Sequence, residues 1–160
     1  MVKRSLKAVA ILGALAMIIP AGSAVVFADE HEQTIYMSAI EPKGTTNLEK
    51  EPFPEEALPG GGGYALKEPN EDGDWVVETY VWLPGEVTVR EGDEVNLQIL
   101  GVNGSLHTAF IEDYDLEFEV TRGALTEVAF TADKPGVFQI FCTIHQPSMT
   151  GRLIVLPTEA

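Results

Sequence analysis

The 160-residue chain has little positive charge and almost no cysteine. Ten Lys and Arg residues stand against 25 Asp and Glu residues, which gives a formal net charge of −15. So acidic a surface repels phosphate backbones and excludes nucleic acid as a partner. The lone cysteine, Cys142, excludes an intramolecular disulfide and any zinc site built from several cysteines.

The few basic residues are unevenly distributed, and three of them lie within positions 3–7. An apolar stretch fills positions 8–19, and small residues lead to Ala28, just before the first acid, Asp29. This order is typical of a secretory signal peptide over residues 1–28, with cleavage after Ala28. The alternative is an uncleaved membrane anchor, because the apolar run is just long enough to span a bilayer. Either way, we expect the rest of the chain to be exported to a periplasmic or other extracytoplasmic location.

Residues 29–74 form an acidic segment rich in proline and glycine. They contain 12 acids, three lysines, five prolines and a run of four glycines at 60–63, a composition typical of a linker or a long surface loop. Within the segment, residues 33–40 are rich in β-forming residues and predict an edge strand added to the main sheet. The sequence leaves two roles open for residues 41–74: an insertion packed near a functional site, or a flexible tether.

From Trp75 onward the chain lacks helical periodicity, and short alternating runs are separated by turn signals. The pattern therefore predicts an all-β domain over residues 75–160, an antiparallel sandwich or barrel of about eight strands. The expected strands cover residues 76–82, 86–90, 94–100, 107–112, 116–120, 126–131, 137–142 and 151–156.

The residues with metal-binding chemistry gather around Cys142. His145 and Met149 follow it at positions +3 and +7, and His107 lies 35 residues upstream in a different strand. A thiolate and two imidazoles, with a weak thioether above them, suit a copper ion that cycles between two oxidation states. Taken singly, Cys142 is more often an inert buried thiol, a Cys–His pair can be a nucleophile with its base, and a lone Met usually fills a core. The combined spacing favours one copper ion.

The sequence from Val76 to Pro157 resembles the cupredoxin superfamily, most closely over residues 130–138 and from Cys142 onward. In these regions the amino-acid sequence is similar to that of the copper-A domains of nitrous-oxide reductases and cytochrome oxidase subunit II. Those domains hold two coppers and need two loop cysteines, whereas this chain has only Cys142. The loop instead resembles mononuclear type 1 proteins such as plastocyanin and pseudoazurin.

This resemblance implies a Greek-key cupredoxin sandwich that holds one copper ion. By position, His107, Cys142 and His145 would be the strong ligands and Met149 the weak axial ligand. The implied activity is electron transfer rather than catalysis, with single electrons carried between extracytoplasmic redox partners. The acidic charge predicts that these partners dock through a basic face, and contact with a membrane is expected only if the N-terminal segment stays uncleaved.

Two alternatives remain open. The chain also resembles nitrosocyanin, a red copper protein acting on a small ligand, in the turn at 131–134 and in the Cys-x2-His spacing. That pattern has Glu in place of His107 and His in place of Met149, which favours a type 1 site here. A copper storage or delivery protein is the other alternative, and the scarcity of further Met and His residues disfavours it.

Overall fold

The computed structural model describes residues 31–158, so the expected signal segment 1–28 lies outside the described residues. The regular elements of this part are twelve strands. Within the described range, no helix is long and apolar enough to cross a bilayer. The strands are β1 (Glu32–Ile40), β2 (Lys43–Asn47), β3 (Tyr64–Lys67), β4 (Asp74–Thr79), β5 (Val81–Leu83), β6 (Glu86–Arg90), β7 (Glu94–Gly101), β8 (Leu106–Ile111), β9 (Leu116–Thr121), β10 (Leu125–Thr131), β11 (Gly136–Cys142) and β12 (Thr150–Leu156).

Two sheets face each other as a sandwich, in the orders β10-β7-β1-β5 and β6-β12-β11-β8-β9. Most neighbours are antiparallel, but β1 runs parallel to β7 and β6 runs parallel to β12. The all-β cupredoxin-like sandwich predicted from the sequence is confirmed. Alternate residues of the strands point inward. Leu97 and Ile99 of β7 meet Ile140 of β11 and Leu153 of β12 in a fully buried core.

The strand expected at residues 33–40 forms, but its predicted position at the sheet edge is wrong. It is β1, and it lies inside its sheet, paired with β7 through residues 32–39 and with β5 through residues 38–40. The second partner exists because the run expected as one strand over 76–82 breaks at Tyr80. Residues after the break leave β4 and join β1 as β5.

The acidic segment is more regular than a linker. Its strands β2 and β3 flank β4 in a third, three-stranded sheet. Trp75 anchors this sheet: its ring packs edge-on against Phe53 at 5.5 Å between centroids, and its Nε1 donates a hydrogen bond to the Glu51 carbonyl oxygen at 3.0 Å. The division of the chain at residues 29–74 and 75–160 stays a prediction.

Candidate metal centre

Cys142 and His145 are placed by the loop between the last two strands. Strand β11 ends at Cys142, and β12 begins at Thr150. The loop closes on itself, because the Cys142 N–H donates to the Met149 carbonyl oxygen and the Met149 N–H donates to the His145 carbonyl oxygen, both at 3.0 Å. This closure leaves Cys142 fully buried and His145 half-buried.

His107 comes from the neighbouring strand β8. In the antiparallel pair of β8 and β11, Cys142 stands opposite Ala109. Residues opposite each other share a face, and so do residues two positions apart in one strand. His107 therefore lies on the same inner face as Cys142, and its side chain is fully buried.

The structure brings these three predicted ligands together. One donor atom from each of His107, Cys142 and His145 lies within 4.8 Å of the other two. The two Nδ1 atoms are 3.1 Å apart, and the Cys142 Sγ lies 3.4 Å from the His145 Nδ1. Metal bonds of about 2.0 Å to nitrogen and about 2.3 Å to sulfur, as in zinc sites, separate two donors by roughly 3.1–3.6 Å at ordinary angles. The donor set thus fits a single metal ion without rearrangement of the strands.

Met149 follows in the same loop and is fully buried in the core cluster that also contains Cys142. Its backbone is tied to both Cys142 and His145, as described above. That position is compatible with a thioether beside the three donors. Its role as the axial ligand stays a prediction.

The two imidazoles are arranged as neutral metal ligands. The His107 Nε2 lies 3.1 Å from the Asn103 carbonyl oxygen, and since a carbonyl only accepts, Nε2 carries the proton and Nδ1 offers its lone pair. Burial lowers the pKa of His107, although the hydrogen bond to Asn103 opposes this. The pKa of His145 is lowered by burial and then by the neighbouring His107.

The thiol is protonated when no metal holds it. Burial raises the pKa of Cys142, while backbone hydrogen bonds from Ile144, His145 and Thr108 act in the opposite direction and favour the thiolate. Binding of a metal ion must therefore displace a proton from Sγ. The same backbone groups would stabilise the sulfur ligand once it is charged.

Three further residues around the site were not found by sequence reasoning. The Tyr80 ring stacks on the His145 ring, with centroids 3.7 Å apart and planes inclined by 12°. Tyr80 also hydrogen-bonds the buried carboxylate of Glu41, whose backbone pairs with the side chain of Asn103. Asn103 belonged to a recognisable Asn-Gly turn, but nothing local marked Tyr80 or Glu41.

The glycine run at 60–63 lies directly on the loop that carries His145. The Gly63 N–H donates to the Gln146 carbonyl oxygen, and the Gln146 N–H donates to the Gly61 carbonyl oxygen, both at 2.9 Å. Glycine is required at Gly62, because its φ is +81° and a Cβ there would lie 2.5 Å from the Ile144 carbonyl oxygen. The acidic segment therefore packs against the site.

Residues 67–155, more than half of the chain, match the family described as Cupredoxin-like domain. The chain belongs to this cupredoxin-like family. The resemblance predicted from residues 76–157 is confirmed. The part of this cupredoxin that contains Glu41 and the glycine run precedes the matched residues.

Among curated proteins, the chain is similar to a nitrous-oxide reductase of Ralstonia nicotianae, at 39% identity over 61 residues. The match covers 36% of this chain and 9% of that enzyme, so this cupredoxin spans less than a tenth of its relative.

Solved structures of similar shape include auracyanin A, a "blue" copper protein from Chloroflexus aurantiacus. It is 19% identical with a TM-score of 0.41, covering 47% of this chain and 88% of auracyanin. Another is a copper nitrite reductase from Nitrosomonas europaea, 18% identical with a TM-score of 0.48, covering 80% of this chain and 42% of the reductase.

Proposed function

We propose that this cupredoxin binds one copper ion through His107, Cys142 and His145, with Met149 as a weak fourth ligand, and carries single electrons. The observation that carries the proposal is the convergence of one thiol and two imidazole nitrogens within 4.8 Å, with no carboxylate in that donor group. Soft thiolate and imidazole donors with a distant thioether are the set that blue copper uses. A structural zinc site would need a fourth strong donor.

Bound copper would supply the one-electron redox change, and the protein would hold its ligands still. His107 lies in β8 opposite Val120 of β9, and Cys142 ends β11 opposite Ala109 of β8, so backbone pairing along β8 fixes both ligands. His145 is fixed by the loop hydrogen bond from Met149 and by the Tyr80 ring on its face. Ligands held by a rigid scaffold and by surrounding contacts change position little between oxidation states, which favours rapid transfer.

The route for the electron is proposed to be the His145 side of the molecule. His145 is half-buried whereas Cys142 and His107 are fully buried, and its neighbour Ile144 is 49% exposed. An exposed apolar side chain beside the outermost ligand allows close approach of a partner. A chain with 7 basic and 25 acidic residues after Ala28, a formal charge of −18, would attract a partner with a basic face.

We further propose that the protein works outside the cytoplasmic membrane, as its N-terminal segment predicts, and that it is a carrier and not an enzyme. A nitrosocyanin-like red site is less well supported, because the donor group contains His107 where that pattern has a carboxylate. Copper storage is less well supported because Met37 and Met149 are the methionines available after residue 28.

The proposal is tested by loading the protein with Cu(II) and recording optical and electron paramagnetic resonance spectra. We expect an intense blue or green thiolate band from one copper per chain. The Cys142→Ser variant should lose that band and keep its fold, whereas a His31→Asn control, outside the donor group, should keep both. A red or colourless protein would favour the alternatives, and a band that survives in Cys142→Ser would overturn the copper–thiolate assignment.

A further inference from the structure

A buried carboxylate that belongs to no ligand set lies close to the metal centre. Glu41 follows β1 and is 5% exposed. Burial alone would raise the pKa of Glu41, but hydrogen bonds from Tyr80 and Lys43 and the charge of Lys43 outweigh that effect and lower it. The Lys43 Nζ lies 2.9 Å from the Glu41 Oε2. Glu41 is therefore ionised at neutral pH. Because a buried charge without partners is costly, the groups that hydrogen-bond or pair with Glu41 are held in place.

The carboxylate of Glu41 is connected to one histidine through Tyr80. The Tyr80 hydroxyl donates to Glu41, and the Tyr80 ring covers the face of His145 at 3.7 Å. A tyrosine hydroxyl is protonated at neutral pH and a carboxylate only accepts, so Tyr80 is the donor of this pair. The Tyr80 N–H donates to the Gly63 carbonyl oxygen at 3.0 Å, which fixes the backbone beneath the ring.

The backbone of Glu41 is connected to the other histidine through Asn103. The Glu41 N–H donates to Asn103 Oδ1 at 2.7 Å, and Asn103 Nδ2 donates back to the Glu41 carbonyl oxygen at 2.8 Å. The Asn103 carbonyl oxygen accepts the hydrogen bond from His107 Nε2 at 3.1 Å. Gly104 closes this turn on the imidazole, since a Cβ there would lie 2.8 Å from His107 Nε2.

We propose that Glu41 is a positioning residue for both histidine ligands: its carboxylate fixes the His145 ring through Tyr80, and its backbone fixes the His107 ring through Asn103. The part of the proposal that concerns copper rests on the proposed function, whereas the fixing of the rings does not. Groups that orient metal ligands in this way typically govern metal affinity by 10–100-fold. A buried negative charge near the ion also favours Cu(II) over Cu(I), so Glu41 lowers the reduction potential.

The test compares substitutions in the two branches with a matched control. Glu41→Ala removes the carboxylate, Tyr80→Leu removes the stacked ring, and Tyr80→Phe keeps the ring while losing the hydrogen bond. Glu78→Ala is the control for buried charge. Glu78 is also buried, pairs with Lys67 at 2.6 Å and lies 3.7 Å from Lys43, and it acts on Tyr80 through its charge and not through a hydrogen bond. Asn103→Ala tests the second branch.

The first measurement is nuclear magnetic resonance of the imidazole ring nitrogens in the metal-free protein. Tyr80→Leu should change the His145 signals most, because the Tyr80 ring stacks on His145 at 3.7 Å but meets His107 only edge-on at 5.8 Å between centroids. Asn103→Ala should change the His107 signals most. Glu41→Ala should disturb His145, because it removes the carboxylate while the backbone groups that pair with Asn103 remain, and Glu78→Ala should disturb neither histidine. If Glu41→Ala fails to fold, Tyr80→Phe and Glu41→Gln are compared instead, with the larger change again expected at His145.

The second measurement is copper affinity, by competition with a chelator, and the reduction potential of each loaded variant. Glu41→Ala should bind copper about 10-fold or more weakly than the Glu78→Ala control, and Glu41→Gln should have a raised potential. Equal behaviour of the Glu41 and Glu78 variants in ring signals, affinity and potential would overturn the proposal. If the unsubstituted protein binds no copper, the proposed function fails, and the ring signals still decide whether Glu41 positions the histidines.

Discussion

Replacement of Gly62 by alanine is expected to detach the glycine run from the ligand loop. A residue other than glycine at a φ of +81° costs about 1–2 kcal/mol. The added Cβ would also lie 2.5 Å from the backbone oxygen of Ile144, which cannot swing away as a side chain would. The run must therefore move, and this breaks the two hydrogen bonds that join Gly61 and Gly63 to Gln146.

Each of those hydrogen bonds contributes about 1 kcal/mol net. Together with the backbone strain, the expected loss in the free energy of unfolding is roughly 3–4 kcal/mol. Gly60→Ala is the matched control, because nothing lies within 4 Å of its added Cβ. It should leave stability nearly unchanged or raise it by about 0.4–1 kcal/mol, since alanine restricts the unfolded chain.

The assay is urea unfolding of the metal-free protein followed by tryptophan fluorescence. Trp75 and Trp82 are both buried, at 4% and 2% exposure, so unfolding transfers them to water. Equal midpoints and slopes for Gly62→Ala and Gly60→Ala would refute the packed position of the run. A large loss of stability in Gly60→Ala would also refute the packed position of the run, because it would mean that Gly60 does not have open space around it.

Three further expectations follow from the site and the charge. If Met149 is the axial ligand, Met149→Gln should still bind copper at a lower reduction potential, and Met149→Leu should also shift the potential. Met37→Leu, at another buried methionine, is the control and should leave the potential unchanged. The absence of a shift in both Met149 variants would contradict the axial assignment. The pKa values of His107 and His145 are lowered below 6.5 in the folded metal-free protein, so the unfolded chain binds more protons than the folded protein as pH falls through this range. The free energy of unfolding should therefore be highest above about pH 7 and decline below pH 6.5. A free energy of unfolding that stays constant from pH 7 to 5 in denaturant titrations would contradict this. Oxidation by a basic partner protein should slow as salt rises, because the Debye length shrinks from about 10 Å at 0.1 M to about 3 Å at 1 M, and a rate that stays constant would mean that the acidity does not serve docking.

The strands after Trp75 and the ligand loop could be predicted from the sequence, because each is marked by a pattern within a short stretch of the chain. Alternation between turn signals marks a strand such as β7 without knowledge of its partners, and the spacing of Cys142 and His145 lies within one loop. His107 could be added because it lay in an adjacent strand region, and β8 pairs with β11 as a sandwich requires.

The position of β1 within its sheet could not be predicted from the sequence, because it depends on a strand break far along the chain. Residues 33–40 look like a strand whatever their place in the sheet, and the break at Tyr80 that supplies β5 as a second partner has no local signal. The same holds for Glu41, whose contacts with Asn103 bridge 62 residues of sequence. Composition suggested a solvated acid there, and only the three-dimensional pairing buries it.

The most direct test of the central claim is X-ray absorption at the copper edge of the loaded protein in both oxidation states. The geometry predicts one short sulfur ligand and two nitrogen ligands in Cu(II), with the same set and little change of distance in Cu(I). The strands and the loop that carries His145 hold the donors 3.1–3.4 Å apart without the metal. Loss of the short sulfur signal in Cys142→Ser would identify its source. A copper ion without a sulfur ligand, or one whose ligands change on reduction, would contradict the account.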